Sequence, residues 1–574
     1  MVLALLLSTG LGAGEGQPRP PVGKIPEPSA TEVRPFGNPF GMQLRRVPAT
    51  AAAVMAPVIV HAAPTNECAT VARRDGAIEV YFITKPERES VSLIRSQDGG
   101  LTWSEPQVAF PLPGRAYYAV KVLEAPDGML HAVFHIQGEG PGGYRGRLYE
   151  VYHVHRPAGD AAWSNPQRIV PGYVGSIRGF TQLRNGRLLL AVARAIPERA
   201  QPPAAGPDFG WNDTFVYFSD DQGVTWRQAP DRLTLALATA NATRYGAIEP
   251  VLLELRDSRV WMLVRDRGGR LWQSFSADGE RWAGLERSPF ISSDSPAELL
   301  RLRNGKILLL TNACQFWANP RTYAMGGREV LHAAISADEG KTWRGFREIL
   351  HETNVVGGGD RGSAYASAAE TRDGKVVVAS GQGEGKRAIV MFDPRWLDQT
   401  AASDEPGAGL VGWTHYGADG LRVVTMDDGT QGVAIPLKSS GLCGALWNFP
   451  LAAAGELTLR LQVPQDARSL RLCLNDHFNR IDDLKAAEHA VFAIDGERIG
   501  AAGSSPSRVH EVRLKWTDAQ TGGKMFVEVD GKPAGTFSAQ RPAQFGVNYL
   551  RIEFRGAADG GPMILSDLSM HAIR

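Results

Sequence analysis

"SADEGKTW", residues 336–343, sets a Ser, an acidic residue, a Gly, a Thr and a Trp in one tight octet. The wording returns as "SQDGGLTW" from Ser96, "SDDQGVTW" from Ser219 and a shortened "SADGERW" from Ser276. Recurrence of one phrase is the mark of a repeat architecture. Asp98, Asp221, Asp278 and Asp338 hold the same place in their copies. Each is expected to accept hydrogen bonds from the backbone of its own turn, with the following Gly supplying a conformation closed to other residues and the Trp packing beneath. A staple repeated around a fold is structural, since one active site is not built four times.

Between and beyond the octets lies a second repeat. Six times an apolar strand enters a tight polar turn and leaves as another apolar strand: "ATVARRDGAIEVYFI", "VKVLEAPDGMLHAVF", "TQLRNGRLLLAVA", "LLELRDSRVWMLV", "LLRLRNGKILLLT" and "SAAETRDGKVVVAS". Asp-Gly and Asn-Gly between apolar runs are strong hairpin signals. Three octets follow their hairpin as the next turn of a meander would, so each unit reads as a four-stranded antiparallel sheet. Six such units predict a six-bladed β-propeller, which removes sheet edges by radial closure. The second unit has only the degenerate "GDAAWSNP", and the sixth has no octet.

With 574 residues, 43% hydrophobic, the chain is too long for one ordinary domain. The expected organisation is all-β: a signal-like start over 1–15, a Pro/Gly-rich lead-in over 16–48, the propeller over 49–400, a linker over 401–408 and a β-sandwich over 409–574. The sandwich is read from period-two segments such as "ELTLRLQV", "VHEVRLKW" and "YLRIEFRG". The apolar start "MVLALLL" predicts a secreted or periplasmic protein. A net charge of +1 with no basic stripe disfavours nucleic acid, and no later apolar run is long enough to span a bilayer. Cys68, Cys314, Cys443 and Cys473 lack metal-type spacing; a Cys443–Cys473 bridge and free buried thiols both remain open. No metal or cofactor is expected.

Hairpin geometry also places a site. If each first strand starts at the mouth of the central channel, residues equidistant from a turn face each other there. Counting pairs Glu249 with Arg265 across the fourth hairpin. A third strand also starts at the mouth, which puts Arg328 on the same rim, and the same count brings Tyr365, Arg178 and Arg194 there, with Asn66, Lys85, Tyr118 and His135 from the first two blades. A rim crowded with Arg suits a carboxylate, which guanidinium forks bind bidentately, and a carboxylate beside a phenol can draw off its proton.

The octets resemble the Asp boxes, or BNR repeats, of the sialidase (neuraminidase) superfamily, over roughly residues 55–400. "GAIEPVLLELRDSRVWMLVR" is similar to the family segment carrying a Glu and the second Arg, "GGREVLHAAISADEGKTW" to the third-Arg segment and "GSAYASAAETRDG" to the Tyr segment. The resemblance implies Glu249 and Tyr365 as the catalytic pair of an exo-glycoside hydrolase acting on a glycan or glycoconjugate, with Arg265 and Arg328 binding a substrate carboxylate. The sequence departs from the family where its first Arg should stand, since "PTNECATVARRDG" has Asn66 there. Its acid/base Asp has no match either: "ITKPERES" offers Glu87 and Glu89, with Glu67 and His135 as other candidates and Lys85 as a replacement cation. A propeller polysaccharide lyase acting on a uronate and a non-catalytic glycan-binding propeller are the alternatives. The C-terminal segment is similar to concanavalin/laminin-G-like modules, with Trp447 and Phe478 as aromatics available either for sugar stacking or for the core.

Overall fold

The computed structural model describes residues 32–35, 45–46, 54–116, 119–138, 148–159, 161–172, 175–195, 212–235, 246–318, 327–351, 362–382, 387–406, 410, 412–414, 421–436, 442–464, 468–480, 482–500, 509–555 and 561–573. Five of the six hairpins form the two inner strands of a four-stranded antiparallel sheet, and the sixth does the same in a sheet extended to six strands by Val58–Ala62, Glu32–Pro35 and Arg45–Arg46. The innermost strands are Ala69–Ala72, Val120–Glu124, Gly179–Gln182, Ile248–Glu254, Glu298–Arg301 and Ser367–Glu370. They touch one another in sequence order, and the sixth returns to the first, so six blades close around one axis.

The sixth blade lacks an octet because its outer strand is not local. Val58–Ala62 supplies it, with Ala388 opposite Ala62 and Met391 opposite Val58. Closing the ring with a strand from before the first blade ties the two ends of the propeller together. Between blades lie apolar seams, as where Ile78, Val80 and Ile94 of the first blade pack on Val377, Ala379 and Ile389 of the sixth.

The octets are staples of the expected kind. In "SADEGKTW", Thr342 donates from its backbone N to Asp338 Oδ1 (2.8 Å) and from its hydroxyl to Oδ2 (2.6 Å), while Gly340 N donates to Ser336 Oγ (2.9 Å). Trp343 Nε1 returns to Gly340 O at 2.9 Å, with Gly340 at φ 83°. Asp98 and Asp221 repeat the pattern, and Asp278 accepts from Glu280 N and Arg281 N. The Thr225 hydroxyl and backbone hold Asp221 down at about 2.

The hairpin turns hold a second clasp. The second residue of the turn is Arg in five blades, and each reaches a carbonyl of the next blade's turn region: Arg74 to Pro126, Arg184 to Leu255 (2.6 Å), Arg256 to Gly305 (2.9 Å), Arg303 to Thr371 and Arg372 to Asp75 (3.1 Å). The second blade has Pro126 at this place. This face is therefore latched at five of the six blade seams, and the channel opens on it as a cavity of about 550 Å³ whose lining includes Arg73, Arg301 and Glu370.

After the propeller, two sheets share one apolar core in a β-sandwich. One contains Gly455–Gln462, Val509–Trp516 and Met563–Ala572; the other contains Cys443–Ala452, Arg468–Asn475 and Val547–Arg555. Phe449, Trp516, Leu459 and Ile552 meet inside. Trp447 and Phe478 are buried, so neither offers a sugar-stacking face. Ala401–Ser403, expected in a linker, instead pairs with Ser569–His571, because its backbone completes the sandwich edge. Cys68, Cys314, Cys443 and Cys473 are all buried, and none is in a disulfide. No helix among the described residues is long and apolar enough to cross a membrane.

The sandwich is fastened to the fifth blade through buried polar groups. Tyr549 donates to Glu348 Oε1 (2.7 Å), and His332 Nε2 lies 2.6 Å from the same hydroxyl. Cys314–Gln315 pairs in parallel with Phe478–Asn479. Asp483 accepts from Trp317 N (2.7 Å) and Ala318 N (3.0 Å), and Trp317 stacks on His489 at 3.7 Å. Those contacts anchor the root of the 319–326 segment, which lies outside the described residues.

Candidate functional site

One position in the blade builds the site. Five residues before the end of the innermost strand stand Glu67, Ala119, Ile177, Glu249, Pro296 and Tyr365, in blade order, when the blades are aligned on the pairs Ala72–Ile78, Glu124–Leu130, Gln182–Leu188, Glu254–Val260, Arg301–Ile307 and Glu370–Val376. Four of these six have left-handed backbone: Glu67 (φ 61°), Ala119 (35°), Glu249 (50°) and Tyr365 (64°). Non-glycine residues enter that region at a cost of about 1–2 kcal/mol. Such strain persists only where surrounding structure imposes it, and it gathers at functional sites.

For Glu249 the cause is visible in the register. Val251 pairs with Leu263 but Arg265 pairs with Ile248, so Glu249 and Pro250 together oppose Val264. This β-bulge corrects the equal-count pairing of Glu249 with Arg265: the backbones are offset by one residue, and the side chains meet because the bulge re-aims the glutamate.

Across the mouth, Tyr365 donates its phenolic proton to Glu249 Oε1 at 2.7 Å, although their blades are not neighbours. Arg265 Nη1 donates to Glu249 Oε2 and, at 2.9 Å, to the Tyr365 oxygen. Its Nε and Nη2 donate to Asp294 Oδ1 at 3.0 and 2.6 Å. Arg328 donates through Nε (2.8 Å) and Nη2 (2.6 Å) to the Asp294 carbonyl and lies 5.4 Å from the Tyr365 ring centre. Arg267 reaches Asp294 Oδ2 at 3.2 Å.

Burial, reinforced by the Glu249 charge and opposed by Arg265 and Arg328, raises the Tyr365 phenol well above its ordinary value. The resting site is therefore a protonated phenol hydrogen-bonded to a carboxylate. Burial raises Asp294 too, but Arg265, Arg267 and Arg328 outweigh it and hold that carboxylate below the usual range.

Two positions deeper, the channel is plugged. Lys121 of the second blade meets Glu298 of the diametrically opposite fifth blade at 3.0 and 3.1 Å. Arg178 of the third blade adds a 2.8 Å bond to Glu298 and one to the Ala366 carbonyl, and lies 5.8 Å from the Tyr365 ring centre. Burial, with Arg178 beside it and Glu298 opposing, brings Lys121 down to about 8. Lys121 and Glu298 hold the same place in their blades, where Ala69, Gly179, Val251 and Ser367 leave room for them.

The structure thus brings together Glu249, Tyr365, Arg265, Arg328 and Arg178. Arg194 lies apart, donating to Tyr217 (3.1 Å) over the Phe215 ring. Lys85 donates to Asn66 Oδ1 at 3.3 Å, in an exposed contact next to Glu67. His135 is wholly buried between blades, and burial brings it down to about 3, which leaves it neutral. Tyr118 lies outside the described residues. Glu87 and Glu89 are exposed, whereas Glu67 sits at the mouth with Ser176 donating to its Oε2. Asp294, Glu298 and Lys121 were not among the expected residues; a count within hairpins carries no sign of bonds between opposite blades.

A family model described as a BNR repeat-like domain matches residues 80–378, more than half of the chain. No curated protein matches. Among solved structures the chain is similar to a Dyadobacter fermentans protein of unknown function, at 17% identity over 59% of this chain and 97% of that one (TM-score 0.43). It is also similar to Trypanosoma rangeli sialidase in complex with sialic acid, at 15% identity over 94% of each chain (TM-score 0.37). A third is xylan β-1,4-xylosidase from Bacillus halodurans, at 12% identity over 90% of this chain and 100% of that one (TM-score 0.32). Likenesses this distant say nothing of substrate or residue roles. The match over 80–378 coincides with the blades and their Asp-box staples, and on that ground the chain belongs to the BNR repeat-like domain family.

Proposed function

We propose that the protein is an exo-glycoside hydrolase in which Tyr365 attacks the anomeric carbon and Glu249 takes the phenolic proton. The observation that carries this reading is the 2.7 Å bond from the buried Tyr365 hydroxyl to Glu249, with Arg265 bridging both. A phenol raised by burial is a poor nucleophile until its proton moves, and Glu249 is placed to receive it as the new C–O bond forms. Arg265 then faces the tyrosyl oxygen and the newly protonated carboxyl.

An acidic glycan fits the charge balance around this mouth. Besides Glu67, the cations Arg178, Arg265, Arg267, Arg328 and Lys121 stand against the three carboxylates Glu249, Asp294 and Glu298. A substrate carboxylate would offset part of the excess, with Arg328, one of the two guanidinium groups over the tyrosine ring, placed to bind it. A second reading, a neutral sugar, is favoured by Asp294, which already engages Arg265 and Arg267 as a substrate carboxylate would. Cleavage of 4-nitrophenyl glycosides of sialic, uronic and neutral sugars distinguishes the two. Retained anomeric configuration and loss of turnover in Tyr365→Phe support the proposed chemistry; an unsaturated product absorbing in the near ultraviolet would replace it with a lyase.

A further inference from the structure

Glu67 occupies in the first blade the position that Glu249 and Tyr365 occupy in the fourth and sixth, with the same left-handed backbone. In a six-bladed ring the first blade lies opposite the fourth and beside the sixth. The mouth therefore carries a further carboxyl group across from Glu249 and beside Tyr365, while the equivalent positions of the other three blades carry Ala119, Ile177 and Pro296. Only Glu67 among those remaining positions can exchange a proton. The residue retains 9% of its exposure, its carboxyl group is oriented by the Ser176 hydroxyl, and it is close enough to act electrostatically on both Tyr365 and Lys121.

We propose that Glu67 is the general acid/base of this site, a role that rests on the hydrolase reading above. As the Tyr365 oxygen bonds to the anomeric carbon and its proton passes to Glu249, the bond to the leaving oxygen breaks and that oxygen takes the proton of the Glu67 carboxyl. In the second half, water attacks the anomeric carbon and gives a proton to the Glu67 carboxylate. The tyrosyl oxygen leaves and recovers its proton from Glu249, so both groups return to their starting states. A Ser hydroxyl fixing one carboxylate oxygen sets the direction in which the other presents its proton.

The test is the dependence of rate on the leaving group in the full-length protein. With the sugar found by the glycoside panel, Glu67→Gln should cut kcat/KM for an alkyl glycoside by about 10²-fold or more and that for the 4-nitrophenyl glycoside by only a few-fold, since kcat/KM reports the steps through release of the leaving group and nitrophenolate leaves without protonation. Azide should accelerate the nitrophenyl reaction of Glu67→Ala, a second variant that serves if the first does not fold. Equal losses on both leaving groups in a folded variant, without azide rescue, would overturn the assignment. Tyr365→Phe separates this from the reading beneath it: a phenylalanine variant that still turns over removes the nucleophile and the acid/base role together. A dead phenylalanine variant with no leaving-group split at Glu67 removes only the latter.

Discussion

Removing the charge of Glu298 tests whether the channel plug holds the blades in place. Glu298 accepts from Lys121 at 3.0 Å and from Arg178 at 2.8 Å, and all three side chains are largely out of water. Glu298→Gln leaves two buried cations without their shared counter-charge, and breaking a buried pair in this way costs about 3–5 kcal/mol. Lys121→Met removes the opposite partner and leaves the Arg178–Glu298 pair standing, so its cost should be well below that of Glu298→Gln. The two variants also differ with pH. Lys121 falls from its ordinary 10.5 to about 8 in the folded chain, so between these values the unfolded chain binds more protons and stability rises with pH. Below about pH 8 the charged lysine bears that penalty in full; by pH 10.5 the wild type should have gained on Lys121→Met by about 3 kcal/mol relative to pH 7, from roughly 1.4 kcal/mol per unit. Denaturant melts followed by tryptophan fluorescence at pH 7 and pH 10 read both quantities. A Glu298→Gln protein as stable as wild type, or a wild-type advantage over Lys121→Met that does not grow with pH, would refute the plug as a structural element.

Asp338→Ala removes the acceptor of three bonds in an octet far from the mouth, so it should lower stability by about 1–2 kcal/mol and leave turnover per folded molecule unchanged, as activity and melts on one sample will show. A chain ending at Asp398 would strip Tyr549 from Glu348 and His332 and expose the apolar seat of Phe478, and it should be insoluble where the full chain is soluble on sedimentation of lysates.

Much of the fold was legible because its signals are local. A turn such as "RNGK" between apolar runs declares a hairpin by itself, and Asp338 reaches partners within four residues. The closing strand Val58–Ala62 was not legible, since only its pairing with Ala388–Phe392, more than three hundred residues on, gives it a blade. At the site, counting from turns brought Glu249, Arg265, Tyr365 and Arg178 to one rim and a strand start added Arg328, and the fold brings these five together. It erred by one residue at Glu249, where a bulge interrupts the register, and it sent to the mouth Arg194, whose guanidinium instead engages Tyr217. Lys121 and Glu298 read as ordinary strand-start charges until opposite blades put them 3.0 Å apart. The sandwich was visible in its alternation, but its buried union with the fifth blade depends on single side chains such as Tyr549 and Asp483 that no periodicity marks.

The central claim is that Tyr365 becomes glycosylated with Glu249 as its base. The direct measurement is mass spectrometry of the peptide containing Tyr365 after reaction with a fluorinated, activated glycoside of the sugar the protein cleaves, in which the fluorine slows release of the intermediate. A glycosyl mass on Tyr365, formed more slowly in Glu249→Gln, is the predicted result. A label on the carboxylate of Glu249 or Glu67 instead, or turnover with inverted configuration and no label at all, would contradict it.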